Sequence, residues 1–320
     1  MSYLFLTAGF VFLIKSADCL VNGASAIAKK FKISDMTIGL TVVAFGSSLP
    51  ELFVNIVAST QGSTGVATGN ILGSNIANIL LILGICGLVK PLKVPIGTVK
   101  AEIPLGLLAV LVLAVSVNDQ FFDGYRYSLL SRSDGVVFLG FFLIFFHYSF
   151  SLSKREPDTE ELDEKLVKMH WGISTILILI GIAGLAGGAE LIVRGAVGIA
   201  RSFEVSDEII GLTIVAIGTS LPELAASVVA AYKGQSEMAV GNVAGSNIFN
   251  IFFVLGISAT IKPLPFSPNN NLDILMVIFA NILLLIFMAT GRKRLLDKWE
   301  GGFMIVLYFV YLFFRTTIKI

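Results

Sequence analysis

Two glutamates in the sequence stand where a soluble protein would have no use for them. Glu51 is the penultimate residue of the segment DMTIGLTVVAFGSSLPEL at 35–52, and Glu223 that of the near-identical DEIIGLTIVAIGTSLPEL at 207–224. Both lie inside long apolar runs, together with Ser47, Ser48 and Pro50 in one copy and Thr219, Ser220 and Pro222 in the other. A second pair of segments, GNILGSNIANI at 69–79 and GNVAGSNIFNI at 241–251, contributes Ser74, Asn75 and Asn78, and Ser246, Asn247 and Asn250. On a helix, Ser47 and Glu51 share a face, as do Ser74 and Asn78. Asn75 and Asn247 point elsewhere by the same periodicity and are expected to hold helix contacts. Each proline removes an N–H and presses on the carbonyl four residues earlier, at Gly46 and Gly218. Each copy thus offers carboxylate, hydroxyl, amide and carbonyl oxygens, with no His or Cys among them. Such an all-oxygen set suits a hard cation such as Ca2+, which takes about 6–8 oxygens, and Na+ shares that preference. Two glutamates supply two negative charges, matched by one Ca2+ or by two Na+. A carboxylate at membrane depth costs several kcal/mol unless it has a partner or a function, and an exchangeable cation is the economical partner.

The elements that must position these residues are membrane helices. Of 320 residues, 55% are hydrophobic and 14% charged, against about 25% charged in soluble domains. The net charge of +1 gives nucleic-acid binding no electrostatic support. Apolar segments long enough to span fall near 3–25, 36–59, 66–89, 102–118, 134–152, 172–199, 208–232, 238–261, 272–290 and 301–316. The expected fold is therefore an all-α integral membrane protein of about ten transmembrane helices. The first helix has no basic leader or cleavage site, so it reads as a span and not a signal peptide. The hydrophilic stretch SKREPDTEELDEKLVKMH reads as a solvated linker. This divides the chain into a first five-helix repeat at 1–152, a linker at 153–171 and a second repeat at 172–320.

A weaker match, SADCLVNGASAIA at 16–28 with GAELIVRGAVGIA at 188–200, shares the offset of the other two pairs. An odd number of helices per copy makes the second copy start on the opposite side of the membrane. Inverted repeats of this kind place a transporter's site near the midplane. Basic residues collect on one side (Lys29, Lys30, Lys32, Lys90, Lys93, Lys100, Lys233, Arg292, Lys293, Arg294), which puts the linker in the cytoplasm and both termini outside. Lys15 with Asp18, and Glu190 with Arg194, read as local ion pairs; His147 and His170 read as interfacial, and Cys19 and Cys86 as packing residues.

The motifs GSSLPE, GTSLPE and the two GSN segments resemble the paired repeats of the sodium/calcium exchanger family, in its compact prokaryotic form without a large cytosolic insert. The resemblance covers nearly the whole chain. It implies ten helices, transport in a cell membrane and no enzymatic activity or cofactor, with Na+ and Ca2+ as cargo, lipid as the surroundings and a monomer as the working expectation. It also implies a ligand set: Ser47, Ser48, Glu51, Ser74 and Asn78 from the first half, and Thr219, Ser220, Glu223, Ser246 and Asn250 from the second. Backbone oxygens of Ala44 and Ala216 would join the sodium sites. The family's stoichiometry is near three Na+ per Ca2+, and its first and sixth helices slide across the bundle. Potassium-dependent and some prokaryotic relatives carry Asp at the position of Asn250; the amide here argues against K+ co-transport and favours Na+ over H+. The competing readings are an H+/Ca2+ or other divalent antiporter, including one for Mn2+, and a cation channel. No metal-ligand motif or paired nucleophile supports an intramembrane hydrolase.

Overall fold

The structure, a computed structural model, describes all residues except 123, 125, 153–168, 204–215, 291–293 and 318–320. Nearly all of the linker and the start of the seventh expected span lie outside the described residues.

In chain order the elements are α1 (Ser2–Phe31), α2 (Asp35–Ser47), α3 (Leu49–Gln61), α4 (Thr64–Val89), β1 (Leu92–Lys93), α5 (Ile96–Ser116), β2 (Ser128–Leu130), α6 (Arg132–Leu152) and α7 (Trp171–Ser202). After 204–215 come α8 (Ala216–Thr219), α9 (Leu221–Tyr232), α10 (Ser236–Ile261), β3 (Leu264–Phe266), α11 (Asn270–Thr290), β4 (Leu295–Leu296) and α12 (Lys298–Thr317). Among the described residues, 7 helices are long and apolar enough to cross a membrane, or up to 8 with α2 and α3 as one bent span. The sequence reading counts more for a physical reason. The described part of the seventh span is short, α9 having 12 residues, and α12 opens on Lys298 and Glu300 and closes near Arg315.

The helices touch through small residues. The long helices α1 and α7 run antiparallel, Gly9 lying against Gly188 and Ile192, and Gly23 against Ser174 and Ile178. A Cβ at Gly181 would come within 2.7 Å of the Leu20 backbone nitrogen. With lipid outside, no hydrophobic drive holds such helices together, and close backbone packing replaces it. The same device brings α10 onto α2, where a Cβ at Gly245 would lie 2.6 Å from the Leu40 carbonyl oxygen.

Contacts recur in matched pairs. Gly84 packs on Gly301, and Gly256 on Gly135. Lys90 reaches Gly234, and Lys262 reaches Gly62, the two glycines having φ of 83° and 80°. The purely helical expectation misses two ribbons: β1 pairs antiparallel with β4, and β2 with β3. Each joins a loop of one half to a loop of the other and satisfies backbone groups that the helices leave unpaired. Asp18 also departs from expectation. It pairs with Lys233 of the other half, not with Lys15, whereas Glu190 and Arg194 do pair within α7, at 2.6 Å.

Replacing Gly181 with Leu should unfold or strongly destabilise the protein in detergent, because the backbone of α1 cannot recede. Gly187→Ala, with nothing within 4 Å of the added carbon, should leave the melting temperature unchanged.

Candidate cation site

The site begins at two broken helices. The chain turns by 45° between α2 and α3, at Ser48 (φ −86°, ψ 8°). Ser220 takes the same conformation (φ −86°, ψ 2°) between α8 and α9. Pro50 and Pro222 sit in the first turn of the helices that follow, where a missing N–H costs nothing. The break places Glu51 and Glu223 in those same first turns, both buried. Opposite them, α4 and α10 loosen into π-type turns at Ala77–Ile82 and Phe249–Leu255. Such turns gather at functional positions, and here they carry Asn78 and Asn250.

The side chains converge across the halves. The Ser48 hydroxyl donates to Glu223 Oε1 at 2.6 Å and lies 3.0 Å from the Ser246 hydroxyl. In the mirrored arrangement the Ser220 hydroxyl lies 3.1 Å from that of Ser74, which reaches Glu51 Oε1 at 3.5 Å. Thr219 is within range of Glu51, and Ser47 within range of Glu223. The Thr219 hydroxyl donates to Asn70 Oδ1 and that of Ser47 to Asn242 Oδ1, both at 3.2 Å. Each hydroxyl has one proton and these acceptors are alternatives for it; when the proton goes to the asparagine, the lone pairs stay free for the interior. The Ala44 carbonyl accepts from the Ser48 N–H at 3.1 Å and from the Ser47 hydroxyl at 3.4 Å. Ala216 opens α8 at the equivalent position.

Asn75 and Asn247 hold helix contacts, as their periodicity suggests, and they do more. Asn78 Nδ2 donates to Asn247 Oδ1 at 2.9 Å, and Asn250 Nδ2 to Asn75 Oδ1 at 3.1 Å. Each amide group of the site is thereby held by its NH2 end, which frees its oxygen. Four buried oxygens are then left without any hydrogen bond: Glu51 Oε2, Glu223 Oε2, Asn78 Oδ1 and Asn250 Oδ1. None of these four residues is more than 1% exposed. Unpaired buried acceptors are costly, and no Lys, Arg or His takes part in the hydrogen bonds that surround them. A set made only of acceptors can be satisfied by a cation, or by a proton on each carboxylate.

Sequence reasoning missed the supports around this center. Asn70 donates to Asn55 Oδ1 at 2.8 Å, and Asn242 donates to the Ser227 hydroxyl, also at 2.8 Å. A signal was present: Asn55 and Ser227 lie one turn after the glutamates, and Asn70 and Asn242 one turn before Ser74 and Ser246, on the same faces.

Comparison with known proteins identifies the family and the fold. The family profile described as "Sodium/calcium exchanger protein" matches residues 1–151 and 173–317. The chain belongs to the sodium/calcium exchanger family. It is 34% identical to the sodium/calcium exchanger MaX1 of Methanosarcina acetivorans, over 98% of this chain and 97% of that protein. It is 41% identical to the putative antiporter CaxA of Alkalimonas amylolytica, over 96% of each. The solved structure of the sodium-calcium exchanger NCX_Mj superposes with a TM-score of 0.83 at 31% identity, covering 100% of this chain and 99% of that one. The chain is thus a multi-pass membrane protein of an antiporter family, of the compact prokaryotic type.

If the asparagine pairs aim the site's oxygens, Asn247→Ala should weaken Ca2+ affinity roughly tenfold or more, the effect of one lost buried hydrogen bond. Equilibrium Ca2+ binding to the purified protein checks this.

Proposed function

We propose that this exchanger moves Na+ one way and Ca2+ the other, through a single site in which Glu51 and Glu223 supply the charge. The observation that carries the reading is the set of four buried, unpaired acceptor oxygens. Hydroxyls of Ser47, Ser48, Ser74, Thr219, Ser220 and Ser246 complete the oxygen supply, with the Ala44 and Ala216 carbonyls as sodium ligands. Ca2+ would draw its ligands from both halves, and Na+ would compete for the same oxygens.

Charge explains why exchange is favoured over leak. Without a cation, two ionised carboxylates held together in a low dielectric repel, which opposes enclosure of the empty site. One Ca2+ or two Na+ remove that repulsion, so a loaded site can close and cross. The matched contacts, the shared offset and the antiparallel pairing of α1 with α7 support an inverted pair of five-helix repeats, ten spans in all. The halves would be 1–152 and 172–320, with a cytoplasmic linker between them and both termini outside. The amides Asn78 and Asn250 do not titrate, which favours Na+ over H+ as the coupling ion.

In proteoliposomes, an outward Na+ gradient should drive Ca2+ uptake with the membrane potential clamped, and an outward H+ gradient alone should not. Glu51→Gln and Glu223→Gln should each reduce uptake to background. Uptake under H+ alone would move the function to proton coupling, and full Na+-driven uptake in either variant would remove the glutamates from the site. Asn250→Asp adds a titratable charge, so its uptake should become more sensitive to acid than the wild type's. An unchanged pH profile would place Asn250 outside the site.

A further inference from the structure

Among the buried carboxylates outside the central site, Glu102 stands apart. Glu102, in the first turn of the Glu102–Ser116 helical stretch, is 2% exposed. Its Oε1 accepts from the Tyr148 hydroxyl at 3.0 Å, and its Oε2 has no hydrogen bond. The second half shows what such a position ordinarily requires. Asp273, near the start of α11, is likewise buried, and α12 supplies its counter-charge: Arg315 Nε and Nη2 lie 2.9 and 3.3 Å from its two oxygens, and Tyr311 donates at 2.7 Å. The Gly84–Gly301 contact and its counterpart Gly256–Gly135 fix how α6 corresponds to α12. By that correspondence the position of Arg315 is filled in α6 by Ser149, a buried residue whose hydroxyl turns back to the Phe145 carbonyl. Among the described residues, the first half therefore keeps the acid and shows no built-in cation beside it.

Glu102 borders a cavity of about 20 Å³ between α4, α5, α10 and α11, room for one water-sized body. Among the described residues no other charged side chain lines it. Across it stands Asn281, whose Nδ2 is committed to the Val277 carbonyl at 2.8 Å. Its Oδ1 lies beside Gly106, one turn beyond Glu102, where an added Cβ would come within 3.4 Å. A further wall residue is Asn247, the amide that holds Asn78 in the central site.

We propose that Glu102 and Asn281 form a second cation site, for one monovalent ion of sodium's size, behind the central site and touching it through Asn247. A single carboxylate is neutralised by one positive charge, whereas a divalent ion would leave an excess charge in a low-dielectric interior. The cavity admits one small ion and leaves no space for an organic cation. An ion here does the work that Arg315 does for Asp273, and its departure loosens the wall on which Asn247 is mounted.

The test uses the full chain carrying Glu51→Gln and Glu223→Gln, which removes both central charges, so its outcome is independent of the transport reading. Thermal unfolding of this purified variant is followed while NaCl replaces choline chloride at constant ionic strength. The expected result is a saturable rise in Tm with Na+ that disappears when Glu102→Gln is added. Asn281→Leu, which keeps the bulk and removes the oxygen, should move the midpoint to about tenfold higher Na+ and serves alone if the Glu102 variant fails to fold. Glu102→Gln in the otherwise native chain should still be stabilised by Ca2+, with the midpoint moved to higher Ca2+ through Asn247. A Tm indifferent to Na+, a Na+ response unchanged by both substitutions, or a stabilisation set by pH alone would overturn the proposal.

Discussion

Two carboxylates buried in the middle of a membrane protein impose the constraint from which the rest of this structure follows. Ionised, they need positive charge; the protein surrounds them with acceptors and hydroxyls, and among the described residues no basic side chain hydrogen-bonds within this group. The asparagine pairs make the choice visible. Asn78 and Asn250 could each have turned an NH2 toward a glutamate, which would satisfy it permanently. Asn247 and Asn75 instead hold those NH2 groups and leave the oxygens inward. A site satisfied by its own protein would have no reason to take up or release an ion.

Bringing these groups together needs backbones closer than ordinary side chains permit. Gly245 against Leu40 lets α10 reach the break between α2 and α3, and the glycines of α1 and α7 let two long helices lie in contact along their length. The breaks at Ser48 and Ser220 turn the glutamates inward. The supports then cross between halves, Ser47 to Asn242 and Thr219 to Asn70. The converging side chains come from both copies of the repeated motifs, so in the proposed site a movement of one copy against the other would alter the coordination directly. The near-symmetry also makes exceptions informative: where Asp273 has Arg315, Glu102 has no basic partner among the described residues.

Much of the center was legible in the sequence because it is written twice. Repetition at one offset separated Glu51 and Glu223 from incidental charges, and helical periodicity grouped Ser47 with Glu51 and Ser74 with Asn78. What stayed hidden depends on the other half. Nothing local to Asp18 says that its partner is Lys233, and nothing in GNILGSN says that Asn70 serves Thr219. A motif fixes which residues share a face of its own helix, but not which residues of another helix meet that face. The ribbons of β1 with β4 and β2 with β3 were illegible for a related reason: strands of two or three residues carry no periodicity, and their partners lie far along the chain. The count of spans differs where charge sits at the ends of a helix, as at Glu300 and Arg315.

The central claim is that Ca2+ and Na+ share one site built on both glutamates. The most direct measurement is equilibrium binding of radioactive Ca2+ to the purified protein with Na+ as competitor at constant ionic strength. The account predicts one Ca2+ per chain, displaced by Na+ with a Hill coefficient above one, since more than one Na+ replaces each Ca2+, and no such binding in Glu51→Gln or Glu223→Gln. Ca2+ binding that is indifferent to Na+, or that survives in either variant, would contradict it.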